Sequence, residues 1–256
     1  MTHVLIGGLV HDRPQVECYL RHLRELDTEG LEISWAFVLD GVDEPDWCDL
    51  WPEGARFLDG PPGPHWDRKA LDKPACYAHL ADLRNLLRAH ALEVGADYLL
   101  SVDSDIIAPP DVLKRLLASG KPWVAGLVSN REPGQEDGRT FNVFKVKLSA
   151  PQPFLQHFQP MGTGAHGNPW PGPEGAGQDP RDTLVPSVPL CVGAVCLYQA
   201  TLLRCATFAG HRWGEDIGFA RQAFSAGYSG WYLPLRCEHL MTVEQLAEHR
   251  ARCPLC

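Results

Sequence analysis

Through the first 130 residues, short apolar runs alternate with longer stretches of helical spacing, the signature of strands joined by crossover helices. Residues 4–10 predict a first strand. A helix follows from about Pro14, where proline suits a first helical position, with Val16, Tyr19, Leu20, Leu23 and Leu26 on one face. Ile33, Trp35, Phe37 and Leu39 alternate as a second strand, and a third is expected at 55–58 within a polar, Trp- and Pro-rich loop that runs to about Pro74. Leu83, Leu86, Leu87, His90, Ala91 and Val94 mark one face of the clearest helix in the chain, with Gly95 as its left-handed stop. Tyr98–Val102 is apolar, too short for a helix and suited to a central parallel strand. A short helix over 111–119, ended by Gly120, and a strand over 123–128 complete this half.

The pattern collapses over 149–189, where nine prolines from Pro151 to Pro189 are interspersed with glycines and no period survives. A stretch of that length inside a compact domain is either a functional loop or a passive insertion. Order returns with a strand over 192–198, helices over Ala200–Cys205 and 215–226, a short strand over 231–233, and a last helix from Thr242. Thr242 and Gln245 have the spacing of a capping box, in which each side chain satisfies the other's free backbone N–H. The fold class read from this order is α/β, an open, mostly parallel twisted sheet flanked by helices.

Composition narrows the picture. The 256 residues carry 23 Lys and Arg against 32 Asp and Glu, a net charge of −9, and a general nucleic-acid binder needs the opposite sign to neutralise phosphates. The apolar run at 4–10 falls short of the roughly 20 residues that span a bilayer; neither a transmembrane segment nor a signal peptide is expected. Nine cysteines cannot all pair. The scatter of Cys18, Cys48, Cys76, Cys191, Cys196 and Cys205 through apolar or mixed surroundings suits buried thiols and a reducing, cytoplasmic setting.

The strongest chemical feature is Asp103-Ser104-Asp105, directly after the apolar strand. In an extended segment residues i and i+2 point to one side, so the two carboxylates are expected to converge. Hard oxygen donors at the carboxyl edge of a parallel sheet lie where such sheets bind ligands, and they suit Mn²⁺ or Mg²⁺ bridging to a diphosphate. Without a metal, the same residues are a solvated loop at a strand end.

The run Asp82-Leu83-Arg84-Asn85, then Gly95-Ala96-Asp97 leading into the strand and Asp103-Ser104-Asp105, then Pro109-Pro110-Asp111, resembles the nucleotide-sugar-binding half of GT-A glycosyltransferases. Trp213-Gly214-Glu215-Asp216, followed by Arg221 and Ala226-Gly227-Tyr228, resembles the Gly-Glu-Asp helix start that the same family places beside the acceptor. Within that superfamily the Pro-Pro-Asp helix and the strand after it look closer to family 2-like or mannosyltransferase-like branches than to cellulose-synthase-like ones. The first strand ends in Gly7-Gly8-Leu9-Val10-His11-Asp12, without the Pro-x-Tyr-Asn turn of many inverting members.

What the resemblance implies is a single GT-A-like domain over 1–256: a nucleotide-sugar half at 1–130, a lid or loop at 149–189, an acceptor half at 190–240 and a C-terminal helix and tail at 241–256. It implies transfer of a sugar, of the hexosyltransferase type, from a nucleoside diphosphate donor to an acceptor left open, with inversion. Asp103 would contact the ribose or the metal, Asp105 and His239 would bind Mn²⁺ or Mg²⁺, Asp40 would read the base, and Arg84 would support the base or the Asp-x-Asp loop. Asp216 would be the general base, with Trp213 and Glu215 toward the acceptor. Acidic residues are also common at helix starts simply because they favour the dipole there.

A competing site lies at the C-terminus, where His249-x3-Cys253-x2-Cys256 has zinc-like spacing and Cys237 or His239 is placed to complete a tetrahedron. Two rival readings follow: a non-catalytic module of the same fold that binds sugar nucleotides or glycans, and a zinc-stapled interaction domain.

Overall fold

A computed structural model describes residues 1–11, 14–42, 49–64, 73–130, 140–146, 158–162, 185–187, 194–211, 214–240 and 242–256. In chain order the elements are β1 (Thr2–Val10), α1 (Val16–Arg24), β2 (Leu31–Leu39), β3 (Arg56–Asp59), α2 (Lys73–Glu93), β4 (Tyr98–Val102), β5 (Ile106–Ile107), α3 (Val112–Ala118), β6 (Trp123–Asn130), β7 (Thr140–Val146), β8 (Phe158–Gly162), β9 (Val185–Ser187), β10 (Val195–Gln199), α4 (Ala200–Cys205), α5 (Glu215–Ser225), β11 (Gly230–His239) and α6 (Val243–Arg252). Of the 149–189 stretch, the described residues form β8 and β9, so the expectation of a structureless segment fails there; the rest of it lies outside the described residues.

The sheet runs β3-β2-β1-β4-β10-β6-β11-β5. β3, β2, β1 and β4 are mutually parallel, β10 runs against both β4 and β6, and β11 is parallel to β6. This mostly parallel mixed sheet flanked by helices is the GT-A-like arrangement that the resemblance implies. Among the described residues no helix is long and apolar enough to cross a membrane.

Strand alternation sorts the core into two layers. Val4, Ile6, Leu100, Val102, Val195 and Leu197 face α1 and α3, whereas Leu5, Leu9, Leu99, Cys196 and Tyr198 face α2, α4 and α5. Continued one residue past Val102, the alternation turns position 103 toward the layer of α2 and α5. Tyr19 of α1 donates from its hydroxyl to the Val102 carbonyl at 3.0 Å, fixing the strand end from the other face.

The centre of the sheet has no room for side chains at Gly7 and Gly8. A Cβ on Gly8 would lie 2.0 Å from the Val102 carbonyl oxygen and 2.8 Å from the Tyr19 hydroxyl. Gly8→Ala must therefore push β4 aside at the residue that leads into Asp103. Such overpacking costs about 1–3 kcal/mol, and equilibrium urea unfolding should show it; a variant as stable as the parent would mean that β1 and β4 separate freely.

Candidate functional site

Four of the parallel strands, β1, β2, β4 and β11, end on one edge of the sheet, and the polar residues of interest sit at those ends: His11, Asp40, Asp103 and His239. The chain moves outward from β1 to β2 and β3, then returns to β4 on the other side of β1. Ligands of open α/β sheets bind at such a reversal of strand order.

Asp103 leaves β4 toward α2, where Arg84 Nη2 donates to both of its carboxylate oxygens, at 3.0 and 3.2 Å. Arg84 is buried, and its Nε donates to Glu215 at 2.8 Å while lying 3.8 Å from Asp216 Oδ1. One guanidinium thus gathers the Asp-x-Asp turn and the first turn of α5. Asn85, the next residue, exchanges two hydrogen bonds with the backbone of Phe208 and anchors the segment between α4 and α5. Gly218 lets α5 approach that segment, since a Cβ there would lie 1.9 Å from the Ala209 carbonyl.

Asp103 and Asp105 do not share one extended segment, because Ser104 and Asp105 lie in a turn. The Ile106 N–H bonds the Asp103 carbonyl at 3.0 Å, closing a turn, because β5 must double back to pair with β11. The two carboxylates therefore diverge: Asp103 meets Arg84, while Asp105 lies 3.2 Å from His239 Nε2. That second pairing is set by the backbone, with His239 opposite Ile106 in the ladder and the Leu240 N–H on the Asp105 carbonyl at 2.8 Å.

Among the described residues, Asp103, Glu215 and Asp216 gather on the Arg84 guanidinium, and Asp105 pairs with His239 beside them. Burial pushes the Asp103 carboxyl up to about 6; Arg84 opposes the shift, and Asp105 and Glu215 add to it. Burial, followed by the neighbouring Glu215, raises Asp216 well above the usual carboxylate range. Asp216 Oδ1 and Arg84 Nη1 are buried without hydrogen-bond partners. The oxygen donors and the imidazole suit a hard divalent cation.

Asp40 is buried at the end of β2, with His79 Nε2 at 2.8 Å and His11 Nδ1 at 2.9 Å. Burial alone would raise its carboxyl, but the hydrogen bonds from His11 and His79 hold it below the usual range. The two histidines were not singled out from the sequence; His11 gives no periodic signal, and His79 is seen only once α2 is extended back to Lys73. Tyr77 is a further residue on α2, one heptad before Arg84, with its ring beside Gly214 and its hydroxyl pKa raised by burial and then by Glu215. Helical spacing from Arg84 was the available signal. Trp213 lies outside the described residues. Glu215 is buried against Arg84 rather than open toward a ligand, whereas Asp216 is partly exposed.

The cysteines at the C-terminus form a separate cluster. Cys18 and Cys256 are joined as a disulfide, which departs from the expectation that Cys18 is a buried thiol; Cys76, Cys196 and Cys237 are buried thiols, and the Cys205 thiol is exposed. Cys48 and Cys191 lie outside the described residues. Neither Cys237 nor His239 joins His249, Cys253 and Cys256: the Cys237 sulfur is buried near the Leu235 carbonyl, and His239 faces Asp105. The residue that does join them is His22 of α1, brought in by the docking of α6.

No protein-family model matches the chain, and no curated protein matches it. Among solved structures it is similar to A197 from STIV, at 11% identity over 94% of this chain and 87% of that one, with a TM-score of 0.47. It is also similar to a protein provisionally named a nucleotide-diphospho-sugar transferase from Desulfovibrio desulfuricans G20, at 11% identity over 99% of this chain and 89% of that one, with a TM-score of 0.48. TarS from S. aureus is similar at 14% identity and a TM-score of 0.48; the match takes in 97% of this chain but only 38% of TarS.

Proposed function

We propose that the chain is a metal-dependent glycosyltransferase that moves a hexose from a nucleoside diphosphate to an acceptor hydroxyl with inversion. The observation that carries this reading is the gathering of Asp103, Glu215 and Asp216 on Arg84, beside the Asp105–His239 pair, at the carboxyl edge where β1 and β4 part. Asp105 and His239 would hold Mn²⁺ or Mg²⁺, and when bound the cation neutralises charge on the departing diphosphate.

The chain's own residues do the rest. Asp103, fixed by Arg84, takes the ribose side. Asp40 orients His11 at the base end of the donor. Glu215 holds Arg84 and is a positioning residue, while Asp216 accepts the acceptor's proton as the oxygen attacks the anomeric carbon. The carbon–oxygen bond to the diphosphate breaks with its electron pair on the nucleotide.

A thermal-shift panel of UDP-, GDP-, dTDP- and CMP-linked sugars, with and without Mn²⁺, tests the reading. One donor should raise the melting temperature only with Mn²⁺, and Asp105→Ala should abolish the rise, since a ligand of the folded state must stabilise it. No response to any donor would overturn the proposal. A response without release of nucleoside diphosphate in the presence of candidate acceptors would favour the binding module instead.

A further inference from the structure

The second cluster lies where α6 crosses α1. His22, His249, Cys253 and Cys256 each present one ligand atom, and these atoms lie within 4.8 Å of one another. Tetrahedral zinc, with bonds of about 2.0–2.3 Å, needs ligand atoms roughly 3.3–3.8 Å apart, so a small inward shift of side chains suffices. Cys253 Sγ is already 3.5 Å from His22 Nε2.

Both imidazoles are prepared from outside. His22 Nδ1 lies 2.8 Å from the Cys18 carbonyl, one helical turn back, which places the proton on Nδ1 and leaves the Nε2 lone pair facing Cys253. His249 Nδ1 lies 2.9 Å from Glu238 Oε2, and Glu238 is itself held by Arg252 at 2.7 Å. His249 is 6% exposed, and its Nε2 is buried with no hydrogen-bond partner. A ring nitrogen backed by a carboxylate, with its other nitrogen buried and unpartnered, is the outer-shell arrangement of a metal-bound histidine.

We propose that these four residues hold a structural Zn²⁺ that staples α6 to α1. Two thiolates and two neutral imidazoles give a closed, uncharged N₂S₂ site, which tolerates partial burial. The Cys18–Cys256 bond accounts for neither histidine nor Cys253. It excludes the metal only at Cys256: a dithiol supplies two electrons and two protons to give two thiols, after which zinc displaces the protons of Cys253 and Cys256. Glu238 and His239 are neighbours on β11, so the staple fixes the strand end whose next residue faces Asp105.

The test uses the full chain, reduced with a dithiol, freed of reductant under argon and loaded with Zn²⁺ or Co²⁺. One zinc per chain should survive gel filtration and protect Cys253 and Cys256 from alkylation, leaving Cys18 reactive on partial unfolding. The cobalt form should show the ligand-field bands of tetrahedral thiolate coordination, a readout that needs no variant. Cys253→Ser should lose the metal, Cys205→Ser should keep it, and Glu238→Gln should bind it about 10–100-fold more weakly. Zinc far below one per chain, or octahedral cobalt bands, or equal loss in Cys205→Ser, would overturn the proposal.

Discussion

Arg84→Met should destabilise the protein by about 3–5 kcal/mol, the usual cost of removing one partner from a buried ion pair and leaving charge behind. For a chain of this size that is a fall in melting temperature on the order of 10 °C. Methionine retains much of the apolar stem, so the loss reports the guanidinium rather than packing. The sign of the pH dependence distinguishes the two. A carboxyl whose folded-state pKa lies above its unfolded value keeps a proton that the unfolded chain has released, so stability is greatest below the unfolded range and is lost as pH rises through the folded value. Asp103, at about 6, is such a group with Arg84 in place, and removing the cation raises it further. The gap between variant and parent should widen from about pH 5 to about pH 8. Mn²⁺ should also stabilise the variant more than the parent, because Asp103, whose charge acts on the neighbouring Asp105, has lost its competing cation. A gap independent of pH, with equal responses to Mn²⁺, would reduce Arg84 to a packing residue.

Much of this network was legible because it depends on local pattern. The apolar run Tyr98–Val102 places Asp103 at a strand end by length alone, the stop at Gly95 fixes where that strand begins, and Glu215-Asp216 follows a glycine at a helix start, with Gly214 at φ 130°. What pattern could not supply was the pairing of distant elements. β10 reads as one more apolar strand, and nothing local reveals that it runs against β4 and β6. β5 is two residues long, below any periodic signal, yet its pairing with β11 turns Asp105 away from Asp103 and onto His239. The sequence predicts a strand only over 231–233; β11 continues past an irregularity between Leu233 and Arg236, and its far end carries both Glu238 and His239. In the C-terminal cluster the local spacing of His249, Cys253 and Cys256 was visible, but the partner from α1, 227 residues away from His249, depends on how α6 docks.

The chemical step should rest most heavily on Asp216. As the proposed base, its removal in Asp216→Asn should lower kcat by about 10²–10⁴-fold, the range that general bases contribute. Asparagine preserves the shape beside Arg84 Nε, so the Mn²⁺-dependent thermal shift with donor should persist. That split separates Asp216 from Asp105, whose loss removes donor binding itself. The pH profile gives a second reading. Burial and then Glu215 raise the Asp216 carboxyl to about 8, so a neutral solution leaves much of it protonated and unable to accept a proton. In the parent, kcat/KM should therefore rise with pH up to that region and then level, the free enzyme's base being what kcat/KM reports. Asp216→Asn should lack this rising limb. A variant that keeps near-parental kcat, or one that keeps the limb, would remove Asp216 from the reaction and leave it as a charge that helps to hold Arg84.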